Sequence, residues 1–232
     1  NLGMPEERNR IMVDAISDLL LIPSEDAREN LLKEKVSPDK IHNVGNIMID
    51  TLAKNKSKII NNSENIKSNL NINKSYFVVT LHRPSNINDD ILEDVFEAIS
   101  NFTDDFQVIL PAHPRLKNYI ENNNIELSNV ILIDPLSYID FMSLVYGCDL
   151  VLTDSGGIQE ETTYLGINCL TLREETERPI TVQEGTNKVI GTDKENIINE
   201  INNVLGSKIS NEAKIKYWDG ETSDRIFQIL FG

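Results

Sequence analysis

What this sequence has little of narrows the field first. It carries only two cysteines, Cys148 and Cys169, which form neither a disulfide framework nor a metal-ligand spacing, so a reducing, cytoplasmic compartment is expected. Its three histidines, His42, His82 and His113, lack the nearby cysteine or carboxylate pattern of a zinc site, and no metal is expected. Positive charge is short: 22 Lys and Arg against 37 Asp and Glu leave a net charge of -15, which excludes the broad basic face of a nucleic-acid binder. A small phosphate ligand stays open, because a pocket can be locally positive or use backbone N–H groups on an acidic protein. No apolar run approaches membrane-spanning length, and the first residues do not read as a signal peptide, so no membrane partner is expected.

What is there is enough apolar material, 40% of 232 residues, for one sizeable core or for one full domain plus part of another. Short apolar runs read as strands at residues 18–22, 41–44, 76–81, 106–110, 130–133, 149–153, 169–172 and 187–190. Helical patterns fall between them, from Pro23 to about Lys35, near 91–101, 115–122, 138–146, 157–165 and 193–205, with Ser24 suited to cap the first. The polar stretch near 54–74 reads either as a helix with a frayed connector or as a domain boundary. The strands are near-continuous rather than alternating, which buries both faces and implies an α/β fold: a parallel sheet with helices on both sides. Ligands of such sheets lie beyond the carboxyl ends of the strands.

The informative residues follow strands directly. Asp154-Ser155-Gly156-Gly157-Ile158-Gln159-Glu160-Glu161 comes straight after the strand ending at Thr153. Two glycines would turn the backbone tightly and bring N–H groups to a diphosphate, Ser155 adds a hydroxyl, and the helix presents its positive end. A carboxylate in the next turns can accept both hydroxyls of a ribose. A capped helix with dipole-matched acids is the competing reading. A nucleophile elbow is excluded, because Thr153 stands where its first glycine belongs. His82-Arg83 and His113-Pro114-Arg115 follow two other strands at the same edge and suit phosphate or sugar oxygens, whereas His42 reads as structural. Arg178, after the strand ending at Leu172, is a counter-charge at the edge that Ser155 occupies.

Met4-Pro5-Glu6-Glu7-Arg8-Asn9-Arg10, Gly45-Asn46, Leu81-His82-Arg83, Pro135-Leu136-Ser137-Tyr138, the run from Thr153 to Glu161, Thr176-Glu177-Arg178-Pro179, Glu184-Gly185-Thr186 and Tyr217-Trp218-Asp219-Gly220 resemble, in order, the non-hydrolysing UDP-N-acetylglucosamine 2-epimerases. The resemblance implies two Rossmann-like parallel-sheet domains in a fold of the glycosyltransferase-B type, with the active site in the cleft. Residues 1–45 would be a remnant of the first domain, most of which would precede this chain; 46–212 would be the UDP-holding domain, and 213–232 a helix crossing back. It implies inversion at C2 by anti elimination of UDP to 2-acetamidoglucal and re-addition, with no cofactor or metal, in a homodimer whose substrate is a UDP-sugar. By the same resemblance Ser155, Gly156 and Gly157 would hold the diphosphate, Glu161 the ribose, and Arg178 would lie near the nucleotide. His82 would contact the leaving diphosphate, and Glu6 would be one catalytic carboxylate, with its partners upstream. Arg83 and His113 belong to the same substrate-binding edge. Phe141 matches the position that packs on uracil, though an apolar helix position is equally core. Two departures stand out: Pro84-Ser85-Asn86 and Ile180, where the family commonly has glutamate. A hydrolysing relative, a glycosyltransferase and a UDP-binding unit without turnover remain alternatives.

Overall fold

The computed structural model describes residues 5–83, 86, 89–123, 127, 130–205 and 215–232, apart from the side chains of Glu6, Asp89, Asp90 and Arg115. The chain runs α1 (Pro5–Ile16), β1 (Leu20–Ile22), α2 (Glu25–Lys33), a 3-10 turn at Pro38–Lys40, β2 (Ile41–Asn43), α3 (Ile47–Asn69), β3 (Tyr76–Thr80), α4 (Asp89–Ser100), β4 (Gln107–Pro111), α5 (Pro114–Asn122) and β5 (Val130–Ile133). It continues with α6 (Tyr138–Tyr146), β6 (Leu150–Thr153), α7 (Gly156–Leu165), β7 (Cys169–Thr171), α8 (Pro179–Gln183), β8 (Asn187–Val189), α9 (Lys194–Leu205) and α10 (Thr222–Phe231). Two compact units result: Asn1–Lys54 with Ile215–Gly232, and Asn55–Lys214.

In the smaller unit β1 and β2 pair in parallel, and Leu20, Ile22, Leu31 and Ile41 close a small core. The chain's last helix is tied down from within this unit. Asp50 accepts the N–H groups of Thr222 and Ser223 at 3.0 and 2.8 Å, filling the role of a cap from a residue distant in sequence. Gly45 is obligatory: at φ +90° a Cβ there would lie 2.1 Å from the Tyr217 carbonyl oxygen. Ser24 does stand at the N-cap of α2, but its hydroxyl donates to Asp26 instead of accepting a helix N–H.

The polar stretch near 54–74 is largely helical, as one of the two readings expected, and the two compact units divide at its start, between Lys54 and Asn55. Helix α3 runs through it to Asn69, burying Ile59 and Ile66 on one narrow stripe. The remaining faces are solvated, which is why its composition reads as a boundary.

The larger unit holds a six-stranded, wholly parallel sheet in the order β5-β4-β3-β6-β7-β8. Counted from β3, that is the 3-2-1-4-5-6 order of doubly wound nucleotide-binding folds. Phe77, Val79 and Leu81 pack on one face with Leu92, Phe96 and Ile99 of α4, Leu116 of α5, and Ile197 and Ile201 of α9. Val78, Ile109, Val151 and Cys169 point to the other face and are equally buried. There Tyr76 donates its hydroxyl to the Leu144 carbonyl at 2.6 Å, and Asn62 of α3 donates to Asp140 of α6 at 2.9 Å. Truncating a ring such as Phe77 would cost about 3–5 kcal/mol. Helix α8 was not anticipated, being five residues long with Pro179 at its start. The boundary expected near residue 212 and the departure at Pro84-Ser85 lie outside the described residues.

Candidate functional site at the sheet switch point

Strand order reverses between β3 and β6, and loops from these two strands leave in opposite directions, opening a crevice at their carboxyl ends. Thr80 and Thr153 face each other across that junction with hydroxyls 2.6 Å apart. Beyond them the chain delivers Leu81-His82-Arg83 from β3 and Asp154-Ser155 from β6.

Asp154 is fully buried and organises the junction. It accepts the backbone N–H of Arg83 at 2.9 Å and of His82 at 3.1 Å, and its Oδ1 lies 2.6 Å from His82 Nδ1. Asn86 ties the same turn to the Leu172 carbonyl at 2.9 Å. Burial by itself raises the Asp154 pKa, but the His82 imidazole and the two backbone N–H groups outweigh it and hold the carboxyl below its usual range. The Asp154 hydrogen bond in turn raises the pKa of His82, whose side chain remains 57% exposed.

Gly156 and Gly157 do not make the expected tight turn. Both lie in the first turn of α7, outside the left-handed region. A Cβ on Gly156 would rest 3.8 Å from Glu177 Oε2, an ordinary contact, and one on Gly157 would meet nothing within 4 Å. The fold therefore does not require glycine at either position, although glycine inside a helix costs up to about 1 kcal/mol against alanine. Ser155 is the N-cap of α7, and its hydroxyl makes no capping hydrogen bond.

Farther along α7, Glu161 is buried, which together with the neighbouring charge of Glu160 pushes its pKa up to about 7 against the opposing hydrogen bond from Tyr138. That bond runs from the Tyr138 hydroxyl at 2.9 Å. Phe141, half-buried, stands one turn beyond Tyr138 on α6. Arg178 pairs with α7, its Nε lying 2.8 Å from Glu160 Oε1. The segment carrying it is locked from beneath: Gln159 accepts from Thr176 at 2.6 Å and Asn187 at 3.2 Å, and Thr181 donates to the Arg178 carbonyl at 2.7 Å. Arg173 holds Glu177 through two 2.8 Å bonds, keeping that carboxyl at about 2, and Arg83 lies 3.4 Å from the same oxygen pair.

The structure thus brings His82, Arg83 and Ser155 together around Asp154, and Gly156 beside Glu177 and Arg178. His113 lies one strand away, exposed beyond β4 and capping α5 through its carbonyl. Glu6 falls in α1 of the other unit, with its side chain outside the described residues. Sequence reasoning assigned nothing to Asp154, Tyr138 or Gln159. Asp154 was findable as the first residue after the strand at the switch; the other two act through tertiary contacts with no sequence signal of their own. Among the described residues no group of three or more His, Cys, Asp or Glu could hold a metal ion, and no helix is long and apolar enough to cross a membrane.

A family model described as UDP-N-acetylglucosamine 2-epimerase matches residues 1–231. The UDP-N-acetylglucosamine 2-epimerase of Methanococcus maripaludis is 37% identical, over 99% of this chain and 65% of its own length. The UDP-2,3-diacetamido-2,3-dideoxy-D-glucuronate 2-epimerase of Pseudomonas aeruginosa is 34% identical, over 99% of this chain and 64% of its own. Among solved structures, the Methanocaldococcus jannaschii UDP-GlcNAc 2-epimerase in complex with UDP-GlcNAc and UDP superposes with a TM-score of 0.82 at 35% identity, covering 99% of this chain and 66% of that one. The chain spans a little under two thirds of the curated relatives it matches.

Proposed function

Because the chain belongs to the UDP-N-acetylglucosamine 2-epimerase family, we propose that its larger unit holds the UDP of a UDP-sugar at the β3/β6 crevice and that the whole protein interconverts UDP-N-acetylglucosamine and UDP-N-acetylmannosamine. The observation that carries this reading is the pair of glycines at the start of α7. The fold has no steric use for them, and a diphosphate approaching the helix N-terminus does. Ser155 and the N–H groups of that turn take the diphosphate, Glu161 the ribose hydroxyls, and Arg178 the nucleotide's charge. Phe141 packs on the base, while Arg83 and His113 border the phosphate and sugar oxygens.

In the reaction a base takes the C2 proton while the C1–O bond breaks and its electrons leave with UDP, forming 2-acetamidoglucal. Reprotonation from the other face and attack of the UDP oxygen at C1 complete the inversion. The C2 proton is only weakly acidic, so the donors that stabilise the departing diphosphate do much of the work. His82 is the one nearest the leaving oxygen, and Glu6 belongs to the acid–base carboxylates. In this reading residues 1–45 are the end of a first domain, and the protein acts as a cytoplasmic homodimer. The Pseudomonas relative supports a second reading, the same C2 chemistry on a UDP-linked diacetamido uronate.

Calorimetric titration of this 232-residue chain with UDP, and with GDP as control, tests the nucleotide half. UDP binding is expected to saturate with GDP much weaker, and Gly157→Ala should lower UDP affinity at least tenfold without loss of stability. A folded chain that binds UDP equally well after that substitution would overturn the glycine argument. In the full-length protein, turnover in deuterated water should place deuterium at C2.

A further inference from the structure

We infer that Asp154 is a positioning residue: by taking Nδ1 of His82 and the two backbone N–H groups beside it, it presents Nε2 to the leaving oxygen of a nucleoside diphosphate. The inference rests on the reading of this crevice as a UDP-sugar site and deepens it.

Three observations carry it. Asp154 is fully buried, so it has no path to a sugar carbon and cannot itself move the C2 proton. Its oxygens are engaged by His82 Nδ1 at 2.6 Å, the N–H groups of His82 and Arg83 at 3.1 and 2.9 Å, and the Asn86 amide at 3.4 Å. One carboxylate on β6 thereby sets both the main chain and the ring of the turn leaving β3. The imidazole that results is anchored at Nδ1 while 57% of its side chain is exposed, which leaves the ring open to a ligand. An imidazole whose Nδ1–H is held by a carboxylate has its tautomer fixed, and its protonated form can donate from Nε2.

The other charged groups around the ring are cationic or already paired. Arg83 and Arg173 both disfavour a charged imidazole, and Glu177 is engaged by Arg173. Asp154 is therefore the group that favours the charged form of His82 in a corner otherwise set by arginines.

The test is a nitrogen-15 titration of histidine in this chain, assigned among the three histidines by His82→Gln. Wild-type His82 should titrate above the ordinary 6.5, with Nδ1 the protonated nitrogen of its neutral form. In Asp154→Asn the titration should fall and the tautomer preference disappear. UDP affinity at neutral pH should drop roughly tenfold, the worth of one charge-assisted hydrogen bond. The decline of wild-type affinity through the His82 titration should vanish in this variant. A wild-type His82 that titrates at or below the ordinary value, or one that Asp154→Asn leaves unmoved, would overturn the inference. The wild-type titration decides the matter even if the variant does not fold. Should the ring respond while UDP binding does not, the diphosphate half is overturned and the hold on the ring stands. A chain that binds no UDP would sink the functional reading, and the resonance data would still judge Asp154.

Discussion

Two buried carboxylates bracket the start of α7 and end up in opposite states. Asp154, just before the helix, is fully buried and held below its usual range; Glu161, in the helix, is 4% exposed and pushed up to about 7. Depth does not separate them, since burial raises both. Donors do. Asp154 receives two backbone N–H groups and an imidazole, while Glu161 receives the Tyr138 hydroxyl and has Glu160 as a like-charged neighbour. The first is built to stay charged in its protein. The second is held near the point where it gains or loses its charge at neutral pH.

The comparison fixes opposite pH signs. Asp154's folded pKa is depressed, so its contribution to stability is present above the ordinary carboxylate value and is lost as pH falls through the folded one. Glu161's folded pKa is raised from 4.5 to about 7, so its contribution is full below 4.5 and is lost as pH rises through about 7. Replacing both residues breaks or sustains the contrast. Asp154→Ala strands N–H groups in a dry junction and should cost about 3–5 kcal/mol of unfolding free energy in denaturant titrations at neutral pH. Glu161→Gln should cost almost nothing below pH 4.5 and should raise stability relative to wild type progressively as pH rises from 4.5 through about 7, while weakening UDP. Equal losses at pH 8 would mean that donor supply is not what distinguishes them.

A smaller effect sharpens the same point. Tyr138→Phe removes the one donor that opposes the rise at Glu161, so the carboxyl should shift further up. UDP affinity at pH 7 should fall about threefold, the worth of a modest hydrogen bond, and recover as pH is raised. A loss that persists at pH 9 would assign Tyr138 a direct ligand contact rather than control of Glu161.

How much of this was legible beforehand follows from which interactions are local. Strand runs such as 76–81 and 106–110 announce themselves because burial on both faces leaves an unbroken apolar signal, and β3 to β8 fall where those runs place them. Helix α3 was obscured because a narrow buried stripe needs few apolar residues. The site's outline was readable from residues that directly follow strands. Its states were not, because the charge of Asp154 depends on residues 82 and 83, and that of Glu161 on residue 138, through packing that no spacing encodes. At the two glycines a tight turn was expected, and the first turn of a helix is found instead, with open space beside Gly157.

The smallest expected effect tests whether distance alone explains anything. Lys188 Nζ lies 2.6 Å from Glu200 Oε2, the same separation as His82 Nδ1 from Asp154 Oδ1. Lys188 stands on the edge strand β8 with a side chain 56% exposed, whereas Asp154 is sealed. Water screens the first pair and competes for its ammonium, and a long side chain loses freedom to make it, so Lys188→Ala should change unfolding free energy by less than about 0.5 kcal/mol. The same substitution should leave UDP affinity within twofold, since β8 is three strands from β3 in the sheet. If Lys188→Ala cost as much as Asp154→Ala, contact distance would be the governing quantity, and the argument from burial and donor supply would fail at both carboxylates.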